Sequence, residues 1–141
     1  MKSLALKILT ILIILPCFIW GQKVSKYPSL SRKQNPATLL KTAEKIKEKD
    51  PLDAIAIIED VITTERNKKQ GSNQIGKAYF LLGNIYEQFG QDDLADQRYL
   101  AALKFRTKKE NELEAKIYYR MGVIDLQIRN EKGALINFNT C

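Results

Sequence analysis

Residues that usually carry chemistry are sparse in this sequence, and their spacing removes most of what they could do. There is no histidine in 141 residues. His-based catalytic triads, His-ligated metals and phosphorylatable histidine are therefore closed to this chain. The two cysteines, Cys17 and Cys141, stand far apart, and neither belongs to a CxxC or another metal-ligand spacing. Carboxylates cluster at Glu59 and Asp60 and again at Asp92, Asp93 and Asp96. They fall at expected helix starts and on polar faces, with no Gly-rich phosphate loop and no second ligand cluster beside them. The sequence predicts a protein that is not an enzyme and uses no cofactor and no metal.

Cations outnumber anions, 23 Lys+Arg against 16 Asp+Glu, but they are interspersed along the chain. That pattern argues against a nucleic-acid-binding arm. Two basic groups do repeat with the same internal spacing: Arg66, Lys68 and Lys69, then Arg106, Lys108 and Lys109. On one edge of the fold they could meet an acidic partner or an anionic membrane surface. The preferred reading is plainer, with cations near helix C-termini satisfying the dipole and the last carbonyls.

The elements that must position these residues begin after an address label. Met1 to Lys7 carries two lysines, Ile8 to Trp20 is apolar apart from Thr10, and Gly21 supplies a small residue before Gln22. A bilayer-spanning helix needs about 20 apolar residues, so this stretch reads as a cleaved signal peptide over 1–21. The alternative is an inner-membrane anchor at residues 8–20. Pro16 before Cys17 argues against lipidation of that cysteine, because a small residue is wanted there. Cleavage would leave a moderately cationic chain, periplasmic or secreted, with no stable membrane insertion. Residues 22–34 are polar and aperiodic and read as a flexible leader.

From Asn35 onward the punctuation is helical. Asn35-Pro36 and Asp50-Pro51 are start signals, Gly71-Ser72 and Gly90 with Asp92 mark turns, and Asn111 followed by Glu114 has the form of a capping box. Apolar residues between these marks keep helical spacing, as in Tyr79, Leu82, Gly83 and Tyr86. No segment alternates with the period of a half-buried strand. Helices also repeat: Tyr79, Leu82 and Gly83 superpose on Tyr118, Met121 and Gly122 at an offset of 39, and the same offset carries Ala95 onto Ala134 and Tyr99 onto Phe138. A weaker copy runs through Leu39, Ala43 and Ile46, then Ala54, Ile58 and Val61. Two helices approach closely only where side chains are small, so Gly83 is expected near Ala95 and Gly122 near Ala134. The fold expected is all-α, with three helix pairs at 35–70, 72–110 and 111–141, the last incomplete, stacked as a short α-solenoid.

Tyr79, Leu82, Gly83, Tyr86, Gly90, Ala95, Tyr99 and Ala102 resemble the tetratricopeptide repeat signature. Tyr118, Met121, Gly122, Ala134 and Phe138 match it less fully, with Asp125 where Tyr is usual. The first copy has Ala43 where Gly is usual, and the spacing of 39 exceeds the family's usual 34. The resemblance implies an exported bacterial scaffold or adaptor that binds a protein or peptide on the concave face lined by the first helix of each pair. The residues implied there are Lys77, Phe80, Asn84 and Gln88 from the middle repeat and Lys116, Tyr119 and Val123 from the third. Phe80 and Tyr119 could equally be packing residues between neighbouring pairs. The clamp by which some members hold chaperone C-termini is not matched: Lys116 and Arg120 fit its basic pair, but Leu81, Leu40 and Glu44 do not fit its other positions. A second reading is the sensory region of a longer signalling protein, such as a histidine kinase or transcriptional regulator. Leu135, Ile136 and Phe138 close the sequence without a polar cap, so downstream sequence or self-association through the C-terminal helix is expected to cover them.

Overall fold

Local chemistry starts and stops the helices much as these residue types require. Asn35 caps the first helix, its side-chain oxygen accepting a hydrogen bond from the Ala37 N–H at 3.0 Å, with Pro36 at the first position where no donor is needed. The computed structural model describes residues 34–68, 73–107 and 110–141. Over them run α1 (Pro36–Ile46), α2 (Pro51–Arg66), α3 (Asn73–Gln88), α4 (Asp92–Phe105), α5 (Asn111–Gln127) and α6 (Glu131–Thr140), with no strand among the described residues. The signal segment 1–21, the leader except Gln34, the Gly71-Ser72 break and Lys69, Lys108 and Lys109 lie outside the described residues. No described helix is long and apolar enough to cross a membrane.

Two of the expected start signals act differently from their sequence pattern. Asp50 occupies the position before α2, yet its side chain makes no capping bond. Asn111 is the first residue of α5 and not its cap, because Glu110 holds that place. The Glu110 carboxylate instead turns back to accept from the Thr107 N–H at 2.9 Å and hydroxyl at 3.1 Å, while Glu114 pairs with Arg106. The Asn111–Glu114 capping box is thus corrected: both carboxylates serve the preceding turn. At α6 a cap not anticipated from sequence appears, with Asn130 accepting from the Gly133 N–H at 3.1 Å.

α3 and α5 end in the same way. The Gln91 N–H reaches the Tyr86 carbonyl at 3.0 Å and the Gly90 N–H that of Glu87 at 2.9 Å; at the equivalent places of the next repeat Asn130 reaches Asp125 at 2.7 Å and Arg129 reaches Leu126 at 3.1 Å. This is the Schellman closure, which needs a left-handed residue at its second-last place. Gly90 supplies it at φ 65°, and Arg129 adopts φ 61° at the corresponding position. A side chain there costs about 1–2 kcal/mol, so the second turn is held by its surroundings.

Each helix packs on its neighbours in sequence, and α1 also meets α3. Leu82, Ile85, Tyr99, Ile58, Val61 and Ile117 are buried at the centre. The close approach within each pair is ring against backbone. A Cβ built on Gly83 would lie 2.5 Å from the Tyr99 ring, and one on Gly122 would lie 2.6 Å from the Phe138 ring. The glycines therefore seat the aromatic rings, and Ala95 and Ala134 are buried on the partner helices. In the first pair the corresponding places hold Ala43 and Ile58, both fully buried. A smaller aliphatic chain leaves room for the methyl that a ring would exclude.

Candidate functional site

A groove of about 530 Å³ runs across α1, α3 and α5. Its α1 wall is Ala37, Leu40, Lys41 and Glu44, and its α3 wall includes Lys77, Phe80, Leu81 and Asn84. The two sets are related by one constant offset in numbering, so each helix presents one stripe at the i, i+3, i+4, i+7 spacing of a helix face. α5 and the turn before it add Glu110, Glu112, Leu113 and Lys116. Leu40, Leu81 and Leu113 are buried and make an apolar floor. Three lysines and three glutamates rim it. Two of these pairs answer each other: Lys77 lies 3.5 Å from Glu110, and Lys116 lies 2.6 Å from Glu112. The bond from Lys116, and then its charge, hold the Glu112 carboxyl below its ordinary value.

Asn84 connects the groove to the buried junction between the second and third pairs. The Tyr99 hydroxyl stands 2.8 Å from Asn84 Oδ1 and 2.7 Å from Glu87 Oε2. Arg120 on α5 donates to the same Glu87 through Nε at 2.9 Å and Nη2 at 2.6 Å. This fork pairs a planar guanidinium with a carboxylate only 8% exposed and fixes α5 against α3. Burial first, and then the bond to Glu87, push the Tyr99 phenol above its ordinary range. Burial alone would lower the Arg120 pKa, but its partners Tyr99 and Glu87 outweigh that and raise it. On the neighbouring side of the junction, burial and the charges of Asp125 and Asp93 raise the Asp96 carboxyl.

Of the residues expected on a binding face, Lys77, Phe80, Asn84 and Lys116 meet in the groove. Gln88 is exposed at the end of α3 and Val123 is half-buried, and neither lines it. Tyr119 also lies outside it, its ring 5.9 Å from Phe138. Phe80 both lines the groove and packs, its ring 5.8 Å from Tyr99. Sequence reasoning misses the α1 wall as a surface, because it weighs Leu40, Glu44 and Leu81 only against the chaperone clamp. The signal that finds it is the spacing of the first two repeats, which carries Lys77, Phe80 and Asn84 back onto Ala37, Leu40 and Glu44.

The described members of the basic clusters, Arg66, Lys68 and Arg106, have structural partners. Arg66 bonds to the Tyr79 hydroxyl and lies 5.6 Å and 5.3 Å from the Tyr79 and Phe105 ring centres. Lys68 pairs with Glu65, and Arg106 with Glu114. Among the described residues no cluster of His, Cys, Asp or Glu could hold a metal ion. Comparison with known proteins adds nothing to this geometry: no family model matches the chain, nor does any curated protein or solved structure.

Proposed function

We propose that this chain is a non-catalytic, tetratricopeptide-type scaffold that binds an extended segment of a partner protein in the groove across α1, α3 and α5. The observation that carries this reading is the repetition of the groove wall. α1 and α3 use the same four positions of the repeat, and the tetratricopeptide resemblance assigns that face to ligands. An apolar floor of Leu40, Leu81 and Leu113 suits the side chains of an extended peptide, and Asn84, Lys41 and Lys116 at the rim suit its backbone carbonyls. On this reading the six helices are three stacked pairs of a short solenoid. The two lysines before the apolar stretch Ile8–Trp20, and Gly21 after it, support export to the periplasm or beyond.

The groove carries as many lysines as glutamates, so it selects by apolar contact and hydrogen bonding more than by net charge. A random-peptide library displayed on phage, panned against the chain, should yield binders with spaced apolar side chains, whose affinity changes little with salt. Their amide chemical-shift perturbations should centre on Lys41, Lys77, Phe80, Asn84, Leu113 and Lys116. Perturbations centred away from the groove, or a library with no binders, would overturn the proposal.

A further inference from the structure

The junction between the second and third helix pairs shows what kind of surface receives a neighbour in this fold. There, Glu87 on α3 takes Arg120 of α5, and Asp96 on α4 lies close enough to Asp125 of α5 to feel its charge. The offset of 39 that relates the two pairs gives the corresponding positions on the third. Leu126 stands for Glu87, Leu135 for Asp96 and Tyr119 for Phe80. In the second pair the Glu87 side chain is covered; on α5 and α6 the counterparts are open, Tyr119 and Leu126 at 52% exposure and Leu135 at 62%. Val123 and Phe138 are half-buried on the same two helices. Two of these three positions, Glu87 and Asp96, change from carboxylate in the second pair to leucine in the third.

We propose that this face of α5 and α6 binds the same face of a second copy, forming a two-fold dimer. The chemistry of the opposite end selects that partner. Outside the groove, the exposed side chains at that end include Thr38 and Lys45 of α1 and Leu52, Ala56, Glu59, Thr63 and Thr64 of α2, a mostly polar set. A head-to-tail contact would set most of the leucines and Tyr119 against hydroxyl, ammonium and carboxylate groups, with Leu52 and Ala56 as its apolar matches, and burying those polar groups costs desolvation. The like face on another copy offers several large apolar side chains together, where Leu52, Phe89 and Leu100 stand on three separate segments, and a two-fold contact closes without propagating into a fibre. The area is of the right order. Three large side chains more than half exposed, with Val123 and Phe138 behind them, offer roughly 400 Å² of apolar surface, against about 800 Å² per partner, a little over half of it apolar, in a stable interface. With Leu126 where Glu87 stands in the second pair, no arginine fork is needed from the incoming helix.

Sedimentation of the full chain in reductant, so that the exposed thiol of Cys141 cannot cross-link copies, tests this directly. A reversible monomer–dimer equilibrium is expected, with Leu126→Glu and Leu135→Glu together weakening association about 100-fold or more. The helical circular dichroism of the variant should match the parent, since both side chains are exposed. A chain that stays monomeric at about 100 µM would overturn the proposal and leave the face to a downstream segment or another protein. Association that survives both substitutions, through Ile8–Trp20 or elsewhere, would overturn it too, as would open-ended assemblies larger than a dimer.

Discussion

Replacing Gly83 by alanine sets two known effects against each other. Alanine gains about 1 kcal/mol over glycine in a helix interior. The new methyl, however, would stand 2.5 Å from Tyr99 Cε1 and 2.7 Å from Cδ1. The ring cannot turn away freely, because its hydroxyl is bound at 2.7 Å to the Glu87 carboxylate that Arg120 also holds. Overpacking a tight contact costs about 1–3 kcal/mol, and losing a hydrogen bond to a charged group costs about 1.5–3 kcal/mol. Gly83→Ala should therefore destabilise by about 1–3 kcal/mol net, lowering the melting temperature by about 4–8 °C per kcal/mol. Gly122→Ala is the control. Its methyl would meet Phe138, a half-buried ring with no hydroxyl anchor near the end of α6, so its net cost should be about 0–1 kcal/mol. Urea titrations followed by far-UV circular dichroism measure both. A double-mutant cycle with Tyr99→Ile, which brings the second pair to the alanine and isoleucine found at the corresponding places of the first, should make Gly83→Ala nearly free. A Gly83→Ala protein as stable as the parent, or a cycle with no coupling, would refute the account of the ring as the seat of the contact.

Arg120→Met should cost about 1–3 kcal/mol and loosen α5 from α3, because it leaves the covered Glu87 carboxylate with only the Tyr99 hydroxyl; amide hydrogen exchange in α5 reports the loosening, and unchanged protection would contradict it. Asp96→Asn should raise stability near neutral pH by less than about 1 kcal/mol and give no gain below about pH 4. The sign follows from the raised carboxyl: the folded state holds this proton more tightly than the unfolded state, so ionisation as pH rises opposes folding. Thermal melts across that range check the crossover, and a gain that persists in acid would show that charge is not the cause.

Much of the helical layout was legible because it depends on local chemistry. The cap at Asn35, the proline at Pro36, the glycine turn at Gly90 and the apolar spacing of Tyr79, Leu82 and Tyr86 each act through residues a few positions away. The repeat offset was legible for a similar reason, since Gly83 with Tyr99 and Gly122 with Phe138 need the same complementary sizes wherever they occur. Asn111 and Glu114 misled because a capping box shares its spacing with other arrangements. Arg106 stood close enough in space to take Glu114, and Glu110 found Thr107 instead.

The sequence by itself determined that the described residues are helical, that the segments of the second and third pairs are built alike, and that histidine chemistry is absent, because propensity, spacing and composition are properties of a linear chain. Only the tertiary structure decided which polar residues meet. Glu87 and Arg120 are far apart in sequence and become a bidentate pair only when α5 lies against α3. The groove is likewise a product of packing: Lys41, Lys77 and Lys116 come from three helices, and nothing within any one of them fixes the distance to the others. Leu126 looks like an ordinary core residue in a helical pattern, whereas Leu135 is expected from the sequence to need covering. The 52% exposure of Leu126 is a matter of spatial neighbours that no local pattern encodes.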